Sequence, residues 1–274
     1  MIIFDGKEFA KKIESQLVKK TLDLEKAGVT PKLAIFYIGE NEASEKYIEL
    51  KQNAGKRIGV DVDLYKVYYR KDPHQIIQLI KFLDVDPMVH GVMIQLPMPK
   101  AKLEYKAKFF NAISIEKDVD GHRNDSLYEP ATVKAILKIL EEAKVSKDME
   151  VLVVGSKGEV GSRLMHSLEK VGYKAIGYDK KDHRGAKKQQ VALTKMAKRA
   201  DVLISATGVP GIITEDLVKK GAIVVDIGSP KGEVDFEKIK EKASFITPVP
   251  GGVGPITVIS LLENVIEAAA RNVK

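Results

Sequence analysis

The chain of 274 residues is long enough for one large domain or two ordinary ones, and can bury a core without covalent staples. With 44 % hydrophobic and 30 % charged residues the composition excludes a disordered chain, and the absence of Cys excludes disulfide scaffolds, thiol nucleophiles and thiolate metal sites. Lys and Arg outnumber Asp and Glu by 45 to 38, a formal charge of +7, yet only Lys180–Lys181 and Lys187–Lys188, near Arg184, are concentrated. The rest alternate with acids and aromatics make up only 6 %, so a solvated lysine-rich surface is favoured and no nucleic-acid partner is expected. No apolar run approaches a membrane span, and the start MIIFDGKEFAKKIESQL turns amphipathic at once. A cytoplasmic location with no membrane partner is therefore the expectation.

Hydrophobic spacing predicts a helix over Asp5–Ala27 stopped by Gly28, a buried strand over Lys32–Ile38, and a helix over Ser44–Ile58 ending near Gly59. A strand at Val60–Val67, a helix at Pro73–Leu83 and a strand at Val89–Leu96, closed by Pro97 and Pro99, complete a β-α-β-α-β run. That order predicts a parallel sheet with helices on its faces. After a helix at Thr132–Ala143 the rhythm restarts, with strands at Glu150–Val154, Lys174–Tyr178, Val202–Ser205 and Ala222–Ile227. Helices at Val160–Val171, Gln189–Arg199 and Asp216–Lys220 intervene, and a long helix over Ile256–Ala270 closes the chain behind Pro255. The fold class expected is α/β, two units flanking a cleft, with a joint near Asp120–Pro130.

Gly155, Gly158 and Gly161 follow a predicted strand and open a predicted helix. Such glycines let backbone approach a pyrophosphate, and the helix N-terminus supplies donors. The spacing G-x-x-G-x-x-G differs from the usual dinucleotide fingerprint, so a structural glycine turn stands beside the phosphate reading. The next strand ends at Asp179, where an acid suits a ribose diol; Lys180, Lys181 and Arg184 follow, and these suit a 2′-phosphate or simply an exposed turn. Tyr47 and Lys51, four apart, share a helix face. Spacing alone favours a surface lysine beside a half-buried tyrosine; the sharper reading is an acid/base lysine with a depressed pKa. Gln95 ends a strand amid Met93, Ile94 and Leu96 and needs a partner if buried, either Lys51 or loop backbone. Asp118 and Asp120 in EKDVDGH read either as an Asx-rich turn or as a ligand-holding carboxylate. Pro248–Pro255 is a second glycine cluster, a close approach for a ligand or a rigid turn. The five histidines (74, 90, 122, 166, 183) show no metal-ligand spacing and no nucleophile elbow appears, so no metal is expected.

Taken together, TPVPGGVGPIT (Thr247–Thr257), GVMIQLPMP (Gly91–Pro99), Tyr47-x-x-x-Lys51, KDVDG (Lys117–Gly121), ADVLISATGVPG (Ala200–Gly211) and GAIVVDIG (Gly221–Gly228) resemble the bifunctional methylenetetrahydrofolate dehydrogenase/cyclohydrolase family. The segments occur in the family's order and cover nearly the whole chain. The resemblance implies a folate-binding catalytic domain of residues 1–120 plus 256–274, and a Rossmann-type NAD(P) domain of residues 121–255. It also implies NADP, with NAD as the alternative, tetrahydrofolate derivatives as substrates, and a homodimer. Carried over by position, Lys51 is the catalytic lysine, Tyr47 packs on the aminobenzoyl ring, and Gln95 sets the protonation of Lys51. Asp120 holds the pterin edge, and Pro250 and Gly251 line the folate side. Gly155, Ser156 and Lys157, with Gly158 and Gly161, take the dinucleotide loop, with Asp179 and Lys180 beyond it; Ser229 takes a nicotinamide-side position. The chain departs from the family where Gly155-Ser156-Lys157 replaces Gly-Arg-Ser and where Pro130-Ala131-Thr132-Val133 replaces Pro-Cys-Thr-Pro. It departs again in the shorter Asn124–Glu129 segment and at Ser229-Pro230.

Overall fold

The structure, a computed structural model, describes residues 1–68, 71–182 and 185–271; the side chains of Ala43 and Lys187 are not described, and His183 and Arg184 lie outside the described residues. In chain order the elements are β1 (Ile2–Ile3), α1 (Gly6–Lys26), β2 (Lys32–Ile38), α2 (Glu42–Ile58), β3 (Asp61–Val67), α3 (Pro73–Val85), β4 (Gly91–Gln95), α4 (Lys106–Asn111), α5 (Ala131–Glu142), β5 (Glu150–Val154), α6 (Glu159–Lys170), β6 (Lys174–Tyr178), α7 (Ala186–Ala197), β7 (Val202–Ser205), β8 (Ile223–Asp226), α8 (Phe236–Ile239), β9 (Phe245–Ile246) and α9 (Val253–Arg271). Short 3-10 turns lie at Lys100–Tyr105, Lys180–Asp182 and Glu215–Leu217, the last where the sequence predicts a short α-helix. The chain divides into two compact units, Met1–Phe9 with Thr132–Thr257, and Ala10–Ala131 with Val258–Lys274.

In the unit containing β2 the sheet order is β3-β2-β4, all parallel. The unbroken apolar run LAIFYI of β2 is buried on both faces, as a central parallel strand requires. Ala34, Phe36 and Ile38 meet Ile76, Ile80 and Leu83 of α3 and Phe109 and Phe110 of α4 in one core. Asn41 caps α2 by accepting from the Ser44 amide at 3.0 Å, and Gly59 ends it at φ +78. The Ser44 hydroxyl donates to the Leu96 carbonyl at 3.3 Å, pinning the start of α2 to the turn after β4. Gly91 lets the segment carrying Asp118 and Asp120 lie flat on β4: a Cβ there would sit 2.7 Å from Val119, and the Val92 amide donates to the Lys117 carbonyl at 2.8 Å.

The other unit has a six-stranded parallel sheet in the order β1-β9-β8-β7-β5-β6. The chain leaves β5 in one direction to reach β6 and later returns to the opposite side of β5 to form β7. The β5/β7 boundary is thus a topological switch point, the place where such sheets bind ligands beyond their carboxyl ends. Leu152 and Val154 of β5, Leu203 of β7, Val224 of β8 and Ile246 of β9 form the core with Leu193, Leu217 and Ile239. Strands β1 and β9, two residues each, are not anticipated from the sequence. The membrane reading needs a correction at α9, which by length and composition could span a bilayer; 72 % of its apolar stretch is buried within the protein, as in a core helix.

Candidate functional site

Lys51 sits in the third turn of α2 and is 7 % exposed. Its ammonium donates to the Gln95 Oε1 at 2.7 Å and approaches the Met93 sulfur at 3.7 Å. Burial removes water from the charged form and lowers its pKa to about 8, against the opposing pull of the Asp120 carboxylate. Gln95 is oriented by its own neighbour, since Nε2 donates to the Leu96 carbonyl at 2.7 Å. Leu96 O therefore collects the Ser44 hydroxyl and the Gln95 amide, and fixes α2 and β4 to one point. Tyr47, one turn before Lys51, is half-buried. Of the two readings open for the Tyr47–Lys51 pair, the structure shows the lysine buried and joined to Gln95.

The two acids of KDVDG separate. Asp118 is buried and closes the turn, accepting from the His122 amide at 3.1 Å and the Arg123 amide at 2.8 Å. Burial raises its pKa. Asp120 lies 3.0 Å from His122 Nε2, and the His122 ring stacks on Phe110 at 4.2 Å. Asn264 of α9 holds this turn from beneath, donating to the carbonyls of Val119 at 2.8 Å and Glu129 at 2.9 Å. Asn264 carries no sequence signal, because its partners lie 135 and 145 residues away along the chain; His122 stands inside EKDVDGH beside Asp120 but is weighed in the sequence only for metal-ligand spacing.

At the switch point, Gly155 adopts φ +85, and a Cβ there would lie 2.4 Å from the Ala206 carbonyl. A Cβ on Gly161 would meet the Gly155 carbonyl at 2.2 Å, so α6 closes directly on the loop. Gly158 begins α6 with no capping side chain. A glycine loop opening an uncapped helix of this length at a switch point fits the pyrophosphate of a dinucleotide. Asp179 is buried, and its carboxylate accepts from the Lys157 amide at 3.3 Å and the Lys181 amide at 3.0 Å. Lys157 pairs with Asp182, and Lys180 and Lys181 are exposed. Ser156 is half-buried. Ser229, exposed, lies on the loop after β8; Pro250, exposed, and Gly251, at φ +104, lie on the loop between β9 and α9. All three cis peptide bonds among the described residues precede prolines of these turns: Pro97, Pro230 and Pro250.

A buried low-pKa amine in one α/β unit and a dinucleotide-type loop in the other define a two-unit α/β dehydrogenase. Profiles of known families narrow this. The tetrahydrofolate dehydrogenase/cyclohydrolase catalytic domain matches residues 4–120, and the NAD(P)-binding domain of the same enzymes matches residues 130–273. The bifunctional protein FolD of Exiguobacterium sibiricum is 38 % identical, over 98 % of this chain and 99 % of its own. The crystal structure of the bifunctional methylenetetrahydrofolate dehydrogenase/cyclohydrolase FolD from Campylobacter jejuni superimposes with TM-score 0.90 at 30 % identity, covering 99 % of both chains. That of the Trypanosoma brucei enzyme, complexed with NADP and an inhibitor, does so with TM-score 0.89 at 26 % identity, over 100 % of this chain and 98 % of that one. The chain belongs to the tetrahydrofolate dehydrogenase/cyclohydrolase family. It is an enzyme of one-carbon folate metabolism that oxidises 5,10-methylenetetrahydrofolate with NADP and hydrolyses the methenyl product to 10-formyltetrahydrofolate.

Proposed function

We propose that Lys51 is the acid–base group of this enzyme and that Gln95 and Asp120 set its protonation. The observation that carries the reading is the buried Lys51–Gln95 contact at 2.7 Å, with the amine pKa near 8. With this pKa about one-tenth of the amine is neutral at pH 7, far more than for an ordinary lysine, and a neutral neighbour does not oppose the positive charge that develops on the folate. A dinucleotide held by the Gly155 loop would supply the acceptor for a hydride from the methylene carbon of the substrate. During that step Lys51 stays neutral, held by Gln95, and the protein chiefly orients the folate. In the hydrolytic step Lys51 accepts a proton from the water that attacks the methenyl carbon and returns it to the ring nitrogen that leaves, while the remaining hydroxyl proton is released to solvent as the formyl C=O forms. Tyr47 stacks on the aminobenzoyl ring, Asp120 accepts from the pterin edge, and Pro250 and Gly251 border the folate.

Gly155, Ser156, Lys157, Gly158 and Gly161 would hold the dinucleotide pyrophosphate, with Ser229 on the nicotinamide side. Asp179 supports this loop through the amides of Lys157 and Lys181, and Lys180 faces the ribose end. Residues 1–120 with 256–274 carry the folate chemistry in this reading, and residues 121–255 the dinucleotide. A second copy of the chain is the proposed partner and the cytoplasm the proposed location; analytical ultracentrifugation tests the first and fractionation the second.

The test is spectroscopic. Methylene-folate mixed with NADP should give methenyl-folate that then decays, and Lys51→Met should let the intermediate accumulate. Lys157→Glu should weaken dinucleotide binding in a direct titration. A Lys51→Met variant that clears methenyl-folate at the normal rate refutes the lysine assignment, and an unaltered titration refutes the loop assignment.

A further inference from the structure

Glu233, on the segment after β8, is 2 % exposed and lies outside every residue assigned above. Its carboxylate collects four donors from the end of β7 and the turn that follows. Oε2 accepts the Ser205 hydroxyl at 2.5 Å, the Thr207 amide at 2.8 Å and the Thr207 hydroxyl at 2.8 Å; Oε1 accepts the Gly208 amide at 2.7 Å. Asp226, at the end of β8, makes the matching tie on Glu233's own segment, accepting the Gly228 amide at 2.8 Å and the Val234 amide at 3.0 Å. The two carboxylates thus fix the turns after β7 and β8. The turn after β7 is the one whose Ala206 carbonyl lies against Gly155, and the segment after β8 carries Ser229. Since β8, β7 and β5 are consecutive in the sheet, the two carboxylates hold two neighbouring loops, and the Gly155 loop packs against one of them.

We propose that Glu233 is the positioning residue for the dinucleotide: it holds the 206–208 turn against the Gly155 loop, so that cofactor binding depends on it while hydrolysis at Lys51 does not. The inference rests on the proposed dinucleotide role of the Gly155 loop. In this reading the Glu233 side chain acts through the amides of Thr207 and Gly208 that it holds. Gln at this position has the same shape but only one acceptor end. With its oxygen toward Ser205 and Thr207, its amide nitrogen faces the Gly208 N–H, donor against donor. Asp keeps both acceptors on a stem one methylene shorter.

The experiment compares wild type, Glu233→Gln, Glu233→Asp and Lys157→Glu in the intact enzyme. NADP binding is read by calorimetric titration, together with the KM for each substrate and the rate of methenyl-folate hydrolysis without dinucleotide. E233Q should raise the NADP Kd and KM roughly tenfold while folate KM and hydrolysis stay within about twofold, and E233D should recover most of the loss. An unchanged Kd in E233Q with a weakened K157E overturns the inference alone. An unchanged Kd in both overturns the loop reading beneath it. If E233Q loses its cooperative unfolding transition, Thr207→Val, which removes one hydroxyl donor to the same carboxylate, is read instead. Tighter or equal NADP binding by T207V then overturns the proposal, and weaker binding with hydrolysis intact supports it.

Discussion

Gln95 turns its carbonyl oxygen toward Lys51 because its amide nitrogen is already engaged. Nε2 donates to the Leu96 carbonyl at 2.7 Å, and Oε1 accepts from the lysine Nζ at 2.7 Å. A neutral amine that donates one N–H to Gln95 keeps its lone pair directed elsewhere, available to a water or a ring nitrogen. In the proposed role of Lys51, the contact therefore orients a base as well as holding a side chain.

Replacing Lys51 with Met keeps the length and the apolar packing of the stem but removes the base. Hydrolysis of methenyl-folate should fall by roughly two to four orders of magnitude, the range ascribed to general acid–base groups. Oxidation of methylene-folate should survive in part. Stopped-flow absorbance of both steps in the same variant measures the split.

The hydrolytic rate of the wild type should rise as pH increases through about 8, where Lys51 loses its proton. The Asp120 charge raises that pKa, so Asp120→Asn should move the midpoint to lower pH and at the same time weaken folate binding. Profiles of kcat/KM against pH for the two proteins decide the matter; a midpoint moving upward contradicts the electrostatic account.

The same residue makes a prediction about stability. Lowering the lysine pKa from 10.5 to about 8 corresponds to roughly 3 kcal/mol, the cost of keeping a buried ammonium. Below pH 8 the folded protein carries that cost in full. Between about 8 and 10.5 the folded state has released the proton and the unfolded chain still holds it, so stability rises with pH in this window. Lys51→Met should accordingly unfold at higher denaturant than wild type at pH 7, with the advantage shrinking toward pH 10.5. Urea titrations at several pH values give the comparison.

Gly161→Ala places a methyl 2.2 Å from the Gly155 carbonyl, where only backbone could yield. The expected loss is about 1–3 kcal/mol of stability, with weaker NADP binding as the loop is pushed off α6. Chemical denaturation and ligand titration read the two effects separately, and an alanine variant that binds NADP normally would show that the close approach is dispensable.

What the sequence made legible follows from how local each signal is. The apolar runs KLAIFYI and EVLVV occupy β2 and β5 to the residue, because strands buried on both faces need nothing from elsewhere to be recognised. Strands β1 and β9, two residues each, have no room for a periodic pattern and are defined by pairing with distant strands, β1 with β9 and β9 with both β1 and β8. At the site, Tyr47-x-x-x-Lys51 on its own pointed as well to a surface lysine; family likeness singled it out, and burial against Gln95 distinguishes it physically. Asp179 was read from its distance to the glycine loop as a ribose ligand or the start of a basic turn, and the structure shows it accepting from the Lys157 and Lys181 amides. Glu233 was invisible, since its partners are two amides and two hydroxyls some 25 residues away along the chain.

The pairing of Ile2–Ile3 with Phe245–Ile246 carries a consequence for synthesis on the ribosome. The edge of the six-stranded sheet joins two segments that lie roughly 240 residues apart along the chain. At ordinary elongation speeds Ile2 and Ile3 must wait on the order of ten to fifty seconds for that neighbour to be translated. Throughout that interval Ile2 and Ile3 remain without a strand to join, and this sheet edge closes only once β9 has emerged.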